Sequence, residues 1–197
     1  MTDAPDPRQT PKSTSVDEKG EADGWSSPLG YSREMDPGGQ TRLVVSVPHD
    51  ALMRVHLDLI KMVAEPLGFL YRQVVHRTNP RPEGSPPRDF VALELKAVDV
   101  VEAVRAHTAL LHHDARCELW IRGAMGEQLV LDKDGVLYCY PDDPSWEDVL
   151  LGHGVPSGLE ETIMDRDYAR HWFHAENDAV EQSLIRTLRL VEVPPRR

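Results

Sequence analysis

Leu43-Val44-Val45-Ser46-Val47 opens the stretch that decides the fold, which runs from Arg42 to Gly123. The run is short, almost continuously apolar and rich in β-branched residues. That suits a strand covered on both faces, and so a central one. Pro48 stops it, and from His49 to Glu65 the period changes. Leu52, Val55, Leu59, Met62 and Val63 recur at three- and four-residue spacing, with Arg54, Asp58 and Lys61 between them. This predicts an amphipathic helix with one buried stripe, closed by Pro66-Leu67-Gly68. Phe69 to His76 alternates as a second, half-buried strand. Arg77 to Arg88 holds four prolines and a glycine and cannot be a regular element. Phe90 to Leu95 is a third strand. Val98 to His113 is a second helix, with Val101, Val104 and Leu111 on its stripe. Glu118 to Arg122 is a fourth strand, ended by Gly123.

This order predicts an α+β fold of the ferredoxin-like βαββαβ type. Two right-handed crossovers would form a four-stranded antiparallel sheet with both helices on one face. The first and third strands, the two most apolar, would be central.

The rest of the 197 residues extends this core of 41–124. Residues 1–40 carry five prolines and few aliphatic side chains, and read as a disordered N-terminal arm with one apolar cluster, Trp25-Ser26-Ser27-Pro28-Leu29. Residues 125–193 read as a β-hairpin plus C-terminal helices packed on the core. Gln128 to Leu131 and Val136 to Tyr140 flank the turn Asp132-Lys133-Asp134-Gly135, where glycine admits positive φ. Asp143-Pro144 starts a short helix, with Asp143 as N-cap and Trp146, Val149 and Leu150 burying one side. A long helix is expected from about Glu160 to Leu190.

The formal charge of −11 is unevenly spread: residues 125–197 hold seven basic against fifteen acidic side chains. Phosphate neutralisation by Lys and Arg supplies most nucleic-acid affinity, so nucleic acid is not expected as a partner. Anionic membranes are disfavoured in the same way, and no apolar run reaches spanning length. The near-neutral core beside an acidic C-terminal third fits a basic protein partner. Two cysteines, Cys117 and Cys139, are too few for a disulfide framework. A reduced, cytoplasmic protein follows from that count.

Two constellations bear on chemistry. Leu129-Val130-Leu131-Asp132-Lys133-Asp134-Gly135 resembles the first motif of the haloacid dehalogenase phosphohydrolases. The resemblance implies a nucleophilic Asp132 and an acid/base Asp134. That family sets the motif on a first strand of a doubly wound domain. Here only about sixty residues follow it, mostly helical in pattern, and a hairpin turn is the competing reading. On the expected last helix, at about 100° per residue, Asp167, His171, His174 and Asp178 share one narrow face, a spacing that could hold a divalent metal. The competing reading is a solvated face of i,i+4 contacts. His107, His112 and His113 sit near the end of the second helix, where the helix dipole already favours them. No phosphate-cradling loop, dinucleotide fingerprint or nucleophile elbow is present, and no cofactor is expected beyond such a metal.

The same helix would carry two apolar stripes. One holds Met164, Tyr168 and Trp172; the other holds Phe173, Val180, Leu184 and Leu188. One stripe would dock on the core and the second would meet the short Trp146 helix, a second copy of the chain or a partner protein. Phe173, Val180, Leu184 and, in the proline-rich break, Arg81 are the expected partner contacts. The sequence thus reads as a non-enzymatic protein-interaction or regulatory module that binds a protein partner or itself. The alternative is a metal-dependent enzyme using the His/Asp face.

Overall fold

The computed structural model describes residues 10–75, 86–172 and 175–194. It is an α+β fold built on one large antiparallel sheet. The strands are β1 (Ser13–Ser15), β2 (Gly30–Met35), β3 (Thr41–Ser46), β4 (Leu67–Gln73), β5 (Arg88–Leu95), β6 (Cys117–Arg122), β7 (Gln128–Leu131), β8 (Leu137–Tyr140), β9 (Tyr168–Arg170) and β10 (Val191–Val193). The helices are α1 (His49–Ile60), α2 (Ala97–Ala106), α3 (Thr108–Leu111), α4 (Pro144–Gly152) and α5 (Asn177–Thr187). Eight strands pair in the order β10-β5-β4-β6-β7-β8-β3-β2, and β1 pairs separately with β9. Among the described residues no helix is long and apolar enough to cross a membrane.

The core strands, the first helix and the hairpin lie close to where their periodicity places them, the expected second helix over 98–113 is divided at His107 into α2 and α3, and the strand order is not the ferredoxin-like one. That order sets the first strand between the third and fourth. Here β3 is separated from β6 by the β7–β8 hairpin, and β4 lies between β5 and β6. The cause is local. The tight turn after β6, closed by Gly123 N–H to Glu127 O at 2.8 Å, folds β7 straight back onto β6. β8 follows on β7, so β3 finds β8 as its neighbour. β3 is nonetheless covered on both faces, with Leu43 to Val47 buried. The inner cover comes from the helices. The outer cover comes from Ile163, Leu159 and Tyr168, which gather around Val44 and Tyr138.

All five helices serve the inner face. β4 shows the alternation plainly: Leu67, Phe69, Tyr71 and Gln73 are buried and the residues between them are partly exposed. These inward groups meet Leu52, Val55 and Leu59 of α1, Val100 and Val104 of α2 and Leu184 of α5 in one core. α4 is capped as its sequence suggests: the Asp143 side chain accepts from Ser145 N–H, Pro144 occupies the first turn, and Trp146 is buried.

The stretch 10–40 is not a disordered arm, as its composition suggested. β2 is an edge of the large sheet, and β1 docks on β9 with Ser13 opposite Arg170. Lys12, 2 % exposed, sends its ammonium inward to the carbonyls of Cys117 (2.7 Å) and Asp132 (2.9 Å).

The expected helix over 160–190 is a second correction. Among the described residues of that span only Asn177–Thr187 is helical in the α sense. Upstream, Thr162 and Asp165 form a capping box around a single 3-10 turn, Ile163–Asp165, and the chain then extends into β9. A short polar side chain that bonds its own backbone competes with helix continuation.

Candidate functional site: the groove between α2 and α5

α2 turns Val100, Ala103 and Val104 toward the core and leaves Asp99, Glu102 and Ala106 exposed. α5 is tethered through polar groups at its buried side. The Glu181 carboxylate accepts from the Tyr71 hydroxyl and from Gln73 Nε2 at 2.9 Å. The Asn177 amide donates to Ala109 O at 3.1 Å and to Asp114 at 3.2 Å. Asp178 takes the Arg116 guanidinium at 2.8 Å. These contacts hold α5 over β4 and α3, while α2 packs on α1.

A groove of about 860 Å³ remains between α2 and α5. Its floor and walls are apolar or small: Leu95, Ala103, Ala106, Ala179, Val180 and Leu188. Asp99 and Glu102 line one wall, and Arg189 stands at the far end. His107 closes the floor. Its Nδ1–H donates to Ala103 O at 2.6 Å, so Nε2 accepts from the Ser183 hydroxyl at 3.2 Å. Nδ1 is thereby used within α2 and Nε2 in joining α2 to α5.

The other candidate groups are spent on the fold. Asp132 and Asp134 are both buried. Asp132 Oδ1 accepts the N–H groups of Asp134 (2.8 Å) and Val136 (2.9 Å), closing its own turn. Burial, then the nearby Asp134 charge, raises its pKa to about 6. Burial pushes Asp134 the same way, but the Arg170 guanidinium at 2.6 Å and Lys133 outweigh it and hold its pKa below the usual value. Neither carboxylate is set at the end of a parallel strand, as the phosphohydrolase resemblance implied. Burial pushes the Cys117 thiol up to about 12 and raises Cys139 as well, so neither is a ready nucleophile.

The histidines near the second helix pair with α1. His112 Nε2 lies 3.0 Å from His56 Nδ1, and His113 stacks edge-on with His49 at 5.0 Å. The expected metal face has no helix to align it. Asp167 precedes β9, His171 Nε2 meets Thr14 Oγ1 at 2.8 Å, and Asp178 belongs to the Arg116 ion pair. Among the described residues no group of three or more metal-ligating side chains converges. His174, Phe173 and Arg81 lie outside the described residues.

Of the expected partner contacts, Val180 lines the groove, whereas Leu184 is fully buried in the core and is corrected to a packing residue. Asp99, Glu102 and Ala106 were not singled out from the sequence. Their signal is an outer face of α2 that keeps Val98, 56 % exposed, among charged neighbours.

Compared with known proteins, the chain matches no family model, and comparisons with curated proteins and with solved structures give no significant match.

Proposed function

We propose that the protein is a non-enzymatic interaction module that docks a basic amphipathic helix of a partner protein in the α2–α5 groove. The groove carries this reading: an uncovered apolar floor of helix-receiving size, with Asp99 and Glu102 on one wall. Helix-in-groove recognition places apolar anchors at i, i+3/i+4 and i+7 into such a floor, with flanking charges that match the rim. The acidic C-terminal third, from residue 125 to 197, strengthens the attraction for a basic partner. Two buried free thiols fit a reducing compartment, and the cytoplasm is the proposed location.

The test uses a fluorescent leucine–lysine helical peptide as probe, followed by anisotropy against the full chain. The lysine peptide should bind and a leucine–glutamate analogue should not. Ala106→Trp should fill the groove and weaken binding by about tenfold or more. Val180→Glu adds negative charge, so a merely electrostatic association would strengthen; docking in the groove requires that it weaken. Unchanged binding in both variants, or none by the wild type, would discard the reading.

A further inference from the structure

The sheet's outward face offers a second surface, independent of the groove. Residues paired across the strands share a face. On the outward side Val191 of β10 pairs with Val91 of β5, Val91 with Leu70 of β4, Leu70 with Trp120 of β6, and Trp120 with Val130 of β7. This apolar row crosses five strands and is centred on Leu70. The row is open only as far as Trp120: Val130 is 4 % exposed, and beyond it the Leu159–Tyr168 segment covers Tyr138 and Val44. The uncovered half keeps Val191 68 % and the neighbouring Leu93 69 % exposed. Trp120 is fixed in place: the Arg72 guanidinium lies 5.3 Å over its ring, and its indole N–H donates to Glu118 at 3.2 Å.

We propose that this face pairs with the same face of a second copy of the chain, about a two-fold axis running along β4. In a two-fold contact, residue i meets j and j meets i. Rotation about β4 lays β5 of one copy over β6 of the other, and β10 over β7. Leu70 then meets Leu70 and Val91 meets Trp120, with Val191 reaching the margin of the face beside Trp120 and the sheets roughly 10 Å apart.

The charges one level along the strands fit the same axis. Gly68 pairs with Arg122 on β6. On its β5 side the register shifts between Leu67 and Phe69, which brings Leu93 and Glu94 to the same level. Glu94 and Arg122 are exposed, and neither makes an ion pair among the described residues. The rotation sets Glu94 of each copy against Arg122 of the other. At the opposite level Arg72 is already satisfied by Asp89 at 2.9 Å and serves as polar rim. The covering segment packs on Tyr138 of β8 and Val44 of β3, and the second copy's sheet ends at β10. The helical groove faces away from the contact.

Sedimentation of the full chain over a concentration series tests the proposal, with circular dichroism confirming the fold of each variant. The wild type should dimerise. Arg122→Glu should weaken the dimer by about tenfold, because it turns two attractions into two repulsions. Glu94→Arg should do the same. The double variant Arg122→Glu/Glu94→Arg should recover affinity to within about threefold of wild type, an exchange that only reciprocal pairing predicts. A monomer at every concentration up to about 0.3 mM overturns the proposal and leaves the face to a different protein. A dimer indifferent to both single changes, or weakened further by the exchange, overturns it too.

Discussion

His56 Nδ1 lies 3.0 Å from His112 Nε2 in a contact that water does not reach, the two rings being 0 % and 2 % exposed. Burial lowers the His56 pKa to about 3, and burial followed by the His56 charge depresses His112 well below its ordinary value. Among the described residues His56 Nε2 has no hydrogen-bond partner, so an imidazolium there would leave a buried donor unmet.

The sign of the pH dependence follows. Both folded pKa values lie below the unfolded value of 6.5, so the unfolded chain binds more protons as pH falls from 6.5 toward about 3. Stability is fully present above 6.5 and is lost on acidification, by up to ~1.4 kcal/mol per pH unit for each histidine. Denaturant unfolding at pH 7 and pH 5 should show the loss, and His56→Gln should flatten it by about half. An unchanged slope in that variant would place the titration elsewhere.

Asp132 acts in the opposite direction. Its folded pKa of about 6 exceeds the ordinary value of 3.8, so acidification through that window favours the folded state. Asp132→Asn keeps an acceptor for the Asp134 and Val136 N–H groups while removing the charge. At pH 7.5 it should be at least as stable as wild type, with a steeper loss on acidification. Asp132→Ala strands both donors and should cost about 1–3 kcal/mol at any pH, measured by the same denaturant melts.

Lys12→Met should destabilise the fold by about 1–3 kcal/mol, since the Cys117 and Asp132 carbonyls each lose a charged donor. The effect should appear first where β1 is docked. Hydrogen exchange should accelerate in Tyr168–Arg170, the strand paired with it, before it does in β6. Uniform acceleration across the sheet would contradict a local docking role.

Leu184 and Val180 lie one turn apart on α5 but have different surroundings. Leu184→Ala removes a fully buried side chain and should cost about 2–5 kcal/mol. Val180→Ala, at the half-exposed groove wall, should cost about 1 kcal/mol or less. Thermal melts of the two variants should separate clearly.

Much of the element structure was legible, because periodicity reports what a single helix or strand does with its apolar side. Leu52, Val55 and Leu59 mark α1, and alternation marks β4. Pairing order was not legible, because it depends on which backbone edge is free when the next strand arrives. Nothing in Leu43–Val47 says that its neighbour will be Leu137–Tyr140. The stretch 10–40 misled because Lys12, Ser13 and Thr14 look solvated. Their attachment is by backbone pairing and buried polar bonds, which leave no apolar pattern. The stretch 160–176 misled for the converse reason. Counting 100° steps finds stripes in any sequence with scattered aromatics, while the Thr162–Asp165 capping box, visible as residue types, marks a single turn. The groove shares this limit: Val180 could be named from its stripe, but the wall formed by Asp99 and Glu102 exists only once α2 and α5 are placed.

The pairing of the first strands with the last has a consequence for how the chain is made. As it leaves the ribosome, the β2–β3 hairpin has one edge satisfied, while the β3 edge must wait until Leu137–Tyr140 has been synthesised. β1 waits longer still, until Tyr168–Arg170 emerges. Long-range closure of this kind slows folding and leaves unpaired strand edges exposed during synthesis. A nascent chain stalled before Leu137 should therefore remain open, protease-sensitive and in need of protection by chaperones, however well α1 and the β2–β3 hairpin have formed.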